Sequence, residues 1–152
     1  MLLASSAIVL GNENVGFSVV IDAGSSGSRV HVYKLDWSES INSRGETLFP
    51  RLKLPEPKLK AKPGLSSFAL NPSAAGESLE SLVTFAVNQI PSEFVSKTPV
   101  YLSATAGLRL LEPDVVQKIL DSCFTWLTSN SPFLIRREKI SVISGRDEGA
   151  FG

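Results

Sequence analysis

Residues 18–33 read SVVIDAGSSGSRVHVY. A short apolar run leads to the carboxylate of Asp22, a glycine- and serine-rich turn follows at 24–28, and residues 29–33 then alternate strictly between polar and apolar side chains. Such alternation is typical of a strand and not of a helix. The stretch therefore predicts a β-hairpin with an acid at its mouth and several small hydrogen-bond donors at its tip.

This combination of side chains suggests a site for a phosphate group and its metal ion. Gly24 and Gly27 allow backbone N–H groups to face a ligand, and the serine hydroxyls add donors. Asp22 stands where a carboxylate can hold a cation, directly or through waters. The competing interpretation is a tight Gly/Ser turn without a ligand. The stretch is not a P-loop, because no Gly-Lys-Ser/Thr follows, and it is not a dinucleotide fingerprint, because a strand comes next.

Length and composition bound the class of protein. The chain has 152 residues, of which 43% are hydrophobic and 20% charged, which fits one globular domain and not a disordered segment. Fifteen basic and fifteen acidic residues balance, so there is no general attraction to nucleic acid and any anion binding has to be local. Cys123 is the sole cysteine, which excludes an intrachain disulfide and a cysteine-based zinc site.

Residues 1–16 are interpreted as a lead-in to a domain that covers 17–152. The first ten residues, MLLASSAIVL, are apolar but too short to span a bilayer, and they lack the basic region of a signal peptide. They are compatible with the remnant of a membrane anchor in a longer protein, and equally with a frayed start of the domain. Both alternatives stay open.

Residues 47–62, TLFPRLKLPEPKLKAK, contain three prolines, which forbid a helix. Leucines alternate with basic residues in this stretch, and this pattern predicts a third, edge-like strand. The basic side chains also invite a nucleic-acid interpretation. Lysines that protect a solvated edge strand explain them better.

Two amphipathic helices are predicted in the second half of the chain. Apolar residues recur at helical spacing over 75–90, and Asn71 followed by Pro72 is the preferred order for a helix start. A second long helix is predicted to start near Pro113, with Cys123 on its buried face as an inert packing thiol.

The predicted order is hairpin, edge strand, helix, strand (100–103), helix and strand (140–143). This order predicts an α/β fold with a mixed five-stranded sheet and flanking helices. The two later strands run into loops at the edge where open α/β sheets bind ligands. Thr105 and Gly107 supply a hydroxyl and exposed backbone in the first loop. Glu148 in the second is either a helix-start charge or a general base that deprotonates water.

Three segments resemble the signature motifs of the apyrase family, the nucleoside triphosphate diphosphohydrolases. They are residues 21–29, IDAGSSGSR, residues 101–111, YLSATAGLRLL, and residues 143–152, ISGRDEGAFG. The intervening residues 62–68, KPGLSSF, are similar as well, so that the likeness covers most of 17–152. The loops are most similar to those of plant members.

The resemblance implies an actin-like (ribonuclease H-like) ATPase fold with nucleotide in a cleft between two related domains. It implies removal of terminal phosphates from nucleoside tri- and diphosphates with Ca²⁺ or Mg²⁺, by a membrane-anchored or secretory-pathway enzyme of the Golgi, the ER lumen or the cell surface. Glu148 would be the catalytic base, and Asp22 would hold the metal ion through its waters. The implied phosphate- and nucleotide-binding residues are Asp22, Ala23, Gly24, Ser25, Ser26, Gly27, Ser28, Arg29, Thr105, Ala106 and Gly107.

Two departures from the family pattern matter. Asp147 stands where the family commonly has the first of two glutamates, although the position of the base itself is kept. The family's fourth and fifth motifs, which include a second phosphate-binding hairpin, have no match here. The chain therefore resembles the N-terminal domain of an apyrase without its second domain. The alternatives are an exopolyphosphatase-like relative of the same fold and a non-catalytic truncated product or binding module.

We expect the 152 residues alone to hydrolyse ATP negligibly, because they contain the motifs of only one side of the cleft. Phosphate release from ATP by the purified chain, measured with Ca²⁺ and with Mg²⁺, checks this. Metal-dependent turnover that Glu148→Gln abolishes would contradict the expectation.

Overall fold

A computed structural model describes residues 15–36, 51–53 and 59–143 of the chain. Most of the lead-in and the whole segment 144–152, which carries Glu148, lie outside the described residues. Among the helices in the described ranges, none combines the length and the apolar character that crossing a bilayer requires.

The hairpin predicted at 18–33 is confirmed, and both of its strands are longer than predicted. Strand β1 spans Val15–Ala23 and strand β2 spans Ser28–Asp36. They pair antiparallel without interruption, from Val15 opposite Asp36 to Ala23 opposite Ser28. The continuous ladder gives the turn at 24–27 a fixed base.

The hairpin forms the middle of a mixed sheet, as predicted. The path runs β3-β2-β1-β5-β6, and β4 also pairs with β2. The β1–β2 pair is antiparallel, whereas β1 with β5 and β5 with β6 are parallel. The further strands are β3 Arg51–Lys53, β4 Leu59–Ala61, β5 Val100–Ala104 and β6 Ile140–Val142.

The prediction of a single edge-like strand within 47–62 is wrong in one respect, because two short strands form there. Strand β3 pairs with the end of β2 at Asp36, and β4 pairs with its beginning at Ser28. Pro55 and Pro57 stand between the two in sequence. Proline has no N–H to donate to a ladder, so one continuous strand is disfavoured here.

The two long helices occur where the order of elements predicted them, and the described residues also form two one-turn helices that were not predicted. The one-turn helix α3 occupies residues that the sequence pattern assigned to a loop, with Thr105 at its N-terminal cap. Short 3₁₀ turns precede α1 and β6. The helices are α1 Glu80–Gln89, α2 Ser92–Val95, α3 Ala106–Arg109 and α4 Pro113–Asn130.

The first long helix begins later than predicted. Asn71 and Pro72 open a 3₁₀ turn, and a second 3₁₀ turn follows before α1 begins at Glu80. The side chain of Asn71 binds a hydroxyl and not a helical N–H, since its Oδ1 accepts from Ser73 Oγ at 2.9 Å. The predicted inward-facing positions are all buried: Ala75, Leu79, Leu82, Val83, Ala86 and Ile90.

A close contact between Gly76 and α4 explains the irregular start. A Cβ built on Gly76 would lie 2.5 Å from the Ser122 carbonyl oxygen and 2.5 Å from Trp126 Cβ. The Gly76 N–H donates to Ser122 Oγ at 3.0 Å, and this hydroxyl donates to the Ser73 carbonyl at 3.0 Å. Bonds to α4 thus compete with intrahelical bonds, and the segment tightens into 3₁₀ turns.

The core joins one face of the sheet to both long helices. Val19 and Ile21 of β1 are 1% and 0% exposed and belong to the same buried cluster as the apolar rows of α1 and α4. Cys123 lies in this cluster with no exposed surface, as predicted. Burial raises the pKa of its thiol to about 12, so the sulfur stays protonated and packs as a small apolar group.

We expect Gly76→Ala to lower the free energy of unfolding by about 1–3 kcal/mol, because the added methyl group overlaps the α4 backbone. Denaturant unfolding of the purified chain measures the change. Ser81→Ala, at an exposed position of α1, is the control and should shift the free energy by less than about 0.5 kcal/mol. An unchanged unfolding midpoint in Gly76→Ala would contradict the close contact.

Candidate functional site

The tip of the hairpin is a two-residue turn. The Gly24 N–H donates to the Gly27 carbonyl at 2.9 Å, which leaves Ser25 and Ser26 exposed beyond the bond. Ser28, at the start of β2, is only 2% exposed, and its Oγ has no hydrogen-bond partner within the described residues. A buried hydroxyl without a partner is costly unless a ligand or water completes it.

Gly64 supports the tip from one side. A Cβ on Gly64 would lie 2.6 Å from the Ser25 carbonyl oxygen and would also collide with that of Gly24. Because C=O and the following N–H point in opposite directions in a trans peptide, the N–H groups of Ser25 and Ser26 face away from Gly64. No backbone hydrogen bond between described residues uses these two N–H groups. The tip therefore offers two backbone donors to a ligand.

Thr105 holds the loop after β5 to the base of the hairpin. Its N–H donates to the Ala23 carbonyl at 3.0 Å, and its Oγ1 donates to the same oxygen at 3.3 Å. Strands β1 and β5 end side by side at this level, with Ala23 in register with Ala104. The hydroxyl proton of Thr105 is thus committed, whereas its oxygen can still accept a hydrogen bond from a bound water.

Gly107 brings the second motif into contact with the tip. A Cβ on Gly107 would lie 3.0 Å from both Cα and Cβ of Ser25 and 3.2 Å from Ser66 Oγ. The next residue, Leu108, is 2% exposed and anchors the α3 turn in the core. Any side chain at position 107 would therefore push the tip outward.

Arg109 links the second motif to the third, and the sequence interpretation missed this role. Its Nη1 donates to the Ile143 carbonyl at 3.0 Å, and the Ile143 N–H donates to the Ala104 carbonyl at 3.0 Å. Ile143 is the last described residue before the segment that carries Glu148. A backbone acceptor from a distant segment leaves no sequence signal, so this contact could not be predicted.

Asp22 is exposed near the end of β1, with Arg29 in register on one side and Ser103 on the other. Burial raises the pKa of Tyr33, and the charge of Asp22 raises it further, so the phenol stays neutral. Within the ranges that the structure describes, no group of three or more His, Cys, Asp or Glu side chains can hold a metal ion. One exposed carboxylate suits a cation that keeps most of its waters.

The structure thus brings together the two predicted motifs that it describes. The hairpin contacts the second motif through Ala23 and Ser25, and Ala106 begins the helical turn that presents this motif. Arg29 is exposed on β2. Glu148 lies outside the described residues, so its predicted position as the base stays a prediction.

Similar proteins include several plant and animal enzymes. The chain is 40% identical over 151 residues to a nucleoside-triphosphatase of Pisum sativum and 36% identical over 143 residues to an apyrase of Solanum tuberosum. It is 42% identical over 135 residues to the nucleoside-diphosphatase uda-1 of Caenorhabditis elegans. These matches cover 99%, 94% and 89% of the chain but only 32%, 30% and 28% of the relatives, so the chain spans about a third of their length.

Solved structures share the fold at low sequence identity. A nucleoside triphosphate hydrolase of Neospora caninum matches with a TM-score of 0.56 and 17% identity, over 90% of this chain and 30% of that one. A Ppx/GppA family member of Aquifex aeolicus matches with a TM-score of 0.50 and 13% identity, over 90% and 38%. These neighbours confirm the predicted actin-like fold.

Family membership is shown by a match that covers almost the whole sequence. The model of the GDA1/CD39 (nucleoside phosphatase) family matches residues 8–152, which is nearly the entire chain. The predicted resemblance to apyrases is therefore confirmed, and the chain belongs to the GDA1/CD39 (nucleoside phosphatase) family.

Proposed function

We propose that this chain supplies one side of the active site of an apyrase, which removes terminal phosphates from nucleoside tri- and diphosphates. The observation that carries the proposal is the contact between the two motifs, in which Thr105 binds Ala23 and Gly107 packs on Ser25. The relatives named nucleoside-triphosphatase, apyrase and nucleoside-diphosphatase support this reaction class.

The proposed phosphate contacts come from the hairpin. The N–H groups of Ser25 and Ser26 are available donors, and adjacent backbone N–H groups of this kind favour anions. The buried hydroxyl of Ser28 has no protein acceptor in the described residues and suits a phosphate oxygen or a water of the metal ion. Small side chains at 24–28 let a phosphate approach the backbone closely.

The donor set fits a hard divalent cation, and we propose Ca²⁺ or Mg²⁺. The exposed carboxylate of Asp22 would hold the ion through waters, because oxygen ligands and retained waters are what these ions prefer. When bound, the ion supplies positive charge that offsets the charge of the phosphates.

Hydrolysis requires a base and an oriented water. In the proposed mechanism, the carboxylate of Glu148 accepts one proton from the water, while Thr105 Oγ1 accepts a hydrogen bond from the other. The water oxygen bonds to the terminal phosphorus, and the bond from that phosphorus to the bridging oxygen breaks. The products are orthophosphate and a nucleotide that is one phosphate shorter. The bond from Arg109 to Ile143 would hold the start of the segment that carries the base.

We further propose that the enzyme is membrane-anchored or acts in the secretory pathway. The supporting observation is a Golgi apyrase of Saccharomyces cerevisiae, which is 38% identical to the chain over 156 residues. Immunolocalisation of the protein with markers of the Golgi, the ER and the cell surface tests this placement.

We expect Glu148→Gln in the full-length protein to abolish hydrolysis and to leave nucleotide affinity within about tenfold, since the base acts mainly in the transition state. Steady-state rates with ATP, ADP and polyphosphate, together with the dissociation constant for ATP, measure both effects. Glu93→Gln, at an exposed position of α2, is the control and should keep the wild-type rates. Normal activity in Glu148→Gln would refute the assignment of the base, and a preference for polyphosphate would favour the exopolyphosphatase-like alternative.

We expect Gly107→Val in the full-length protein to lower kcat/KM for ATP by about tenfold or more, because the new side chain displaces Ser25 and the donors next to it. The comparison variant is Leu110→Val, in the same segment but with the side chain 87% exposed, which should leave kcat/KM within about twofold. Unfolding curves for both variants separate a displaced tip from a lost fold. Wild-type kinetics in Gly107→Val would contradict the proposed contact between the motifs.

A further inference from the structure

Lys60 lies beside the hairpin tip although no motif of the sequence includes it. Strand β4 pairs antiparallel with the start of β2, which places Lys60 in register with Arg29 and Ala61 in register with Ser28. Arg29 is in register with Asp22 on the next strand. The register therefore sets the lysine at the same level of the sheet as the acid at the mouth of the hairpin.

The side chain of Lys60 crosses the turn and reaches the tip. Its Cε would lie 2.6 Å from a Cβ built on Gly27, so glycine at this position leaves room for the lysine stem. Its Nζ donates to Ser26 Oγ at 3.2 Å. The ammonium group is thus held at the tip by a neutral hydroxyl, which does not compensate its charge.

A lysine that only protects an edge strand explains less of this arrangement. Such a lysine acts through a solvated charge and needs no particular partner. The side chain of Lys60 instead packs on Gly27 and donates a hydrogen bond to Ser26. The proposed function assigns Ser26 to phosphate binding. Lys62, two residues further along, is also exposed but lies outside strand β4.

The charge of Lys60 adds to the neutral donors of residues 24–28. The backbone N–H groups and serine hydroxyls are neutral donors, whereas a di- or triphosphate chain carries several negative charges. An ammonium group acts as a point charge with three donors, and it forms charge-assisted hydrogen bonds with phosphate oxygens in any orientation. The hydroxyl of Ser26 holds it within reach of a phosphate bound at the tip.

We propose that Lys60 is a phosphate-binding residue of this site, which exchanges its bond to Ser26 Oγ for an oxygen of the bound phosphate chain. This inference rests on the proposed function, because it takes the hairpin tip as the phosphate site. It adds to that function a cation from outside the signature motifs, contributed by the short strand β4.

The test is a titration of the ¹⁵N-labelled chain with inorganic pyrophosphate, in which the amide signals of Ser25, Ser26 and Gly27 report binding at the tip. Lys60→Gln keeps a long polar side chain but removes the charge, and it should weaken pyrophosphate binding about tenfold. Lys60→Arg keeps the charge and should stay within about threefold of wild type. Lys62→Gln is the matched control, since it removes the same charge two residues away, and should change the affinity less than twofold.

The outcomes separate this inference from the proposed function. Binding at the tip that Lys60→Gln leaves unchanged, or that Lys62→Gln weakens equally, would overturn the role of Lys60 and leave the phosphate site intact. No shift of the tip signals in wild type would overturn both. The amide spectrum of each variant shows whether it is folded, and a weaker salt dependence of binding in Lys60→Gln alone would give independent support.

Discussion

The carbonyl oxygen of Ala23 accepts two hydrogen bonds from Thr105, and the geometry of the site is built outward from that point. Parallel strands bring their carboxyl ends to one edge of a sheet, but this alone does not fix the loops that follow them. The carbonyl of Ala23 belongs to a residue that is only 3% exposed. Removing both donors would therefore lower the free energy of unfolding by more than the roughly 1 kcal/mol that one hydrogen bond contributes. Through Gly107 and Arg109, the same segment then contacts the hairpin tip and Ile143, the residue after β6.

Space, more than backbone freedom, explains the glycines around the tip. A Cβ on Gly27, Gly64 or Gly107 would lie within 3.0 Å of a neighbouring atom, yet none of these three residues has a positive φ. The sequence suggested that glycines allow the backbone to turn toward a ligand. The structure shows that they allow three other segments of the chain to approach the hairpin closely. Atoms of these segments therefore limit where the hairpin tip can lie.

The sequence predicted what periodicity encodes and missed what depends on contacts between distant segments. The hairpin, the buried faces of both long helices and the order of strands follow from patterns of two and of 3.6 residues. The start of α1 was misplaced because Gly76 and Ser122 are far apart in sequence and meet only in the fold. The edge strand was predicted as one although Pro55 and Pro57 disfavour a continuous ladder, and the pairing of β2 with two short strands is seen only in the fold. The contacts that Arg109 and Lys60 make with distant segments were not predicted from the sequence.

The glycines of the motifs and Lys60 differ in how strictly the fold restricts their positions. Gly27, Gly64 and Gly107 leave too little room for a Cβ beside neighbouring atoms, so these positions tolerate few replacements. A lysine reaches the same tip through a long flexible stem, and many positions on a neighbouring strand would allow that. Within the proposed function, positive charge around the site can therefore come from outside the motifs, whereas the backbone donors cannot. Within the proposed function, fixed backbone donors suit one phosphate position, and a flexible ammonium group suits a chain whose terminal phosphate moves away during the reaction.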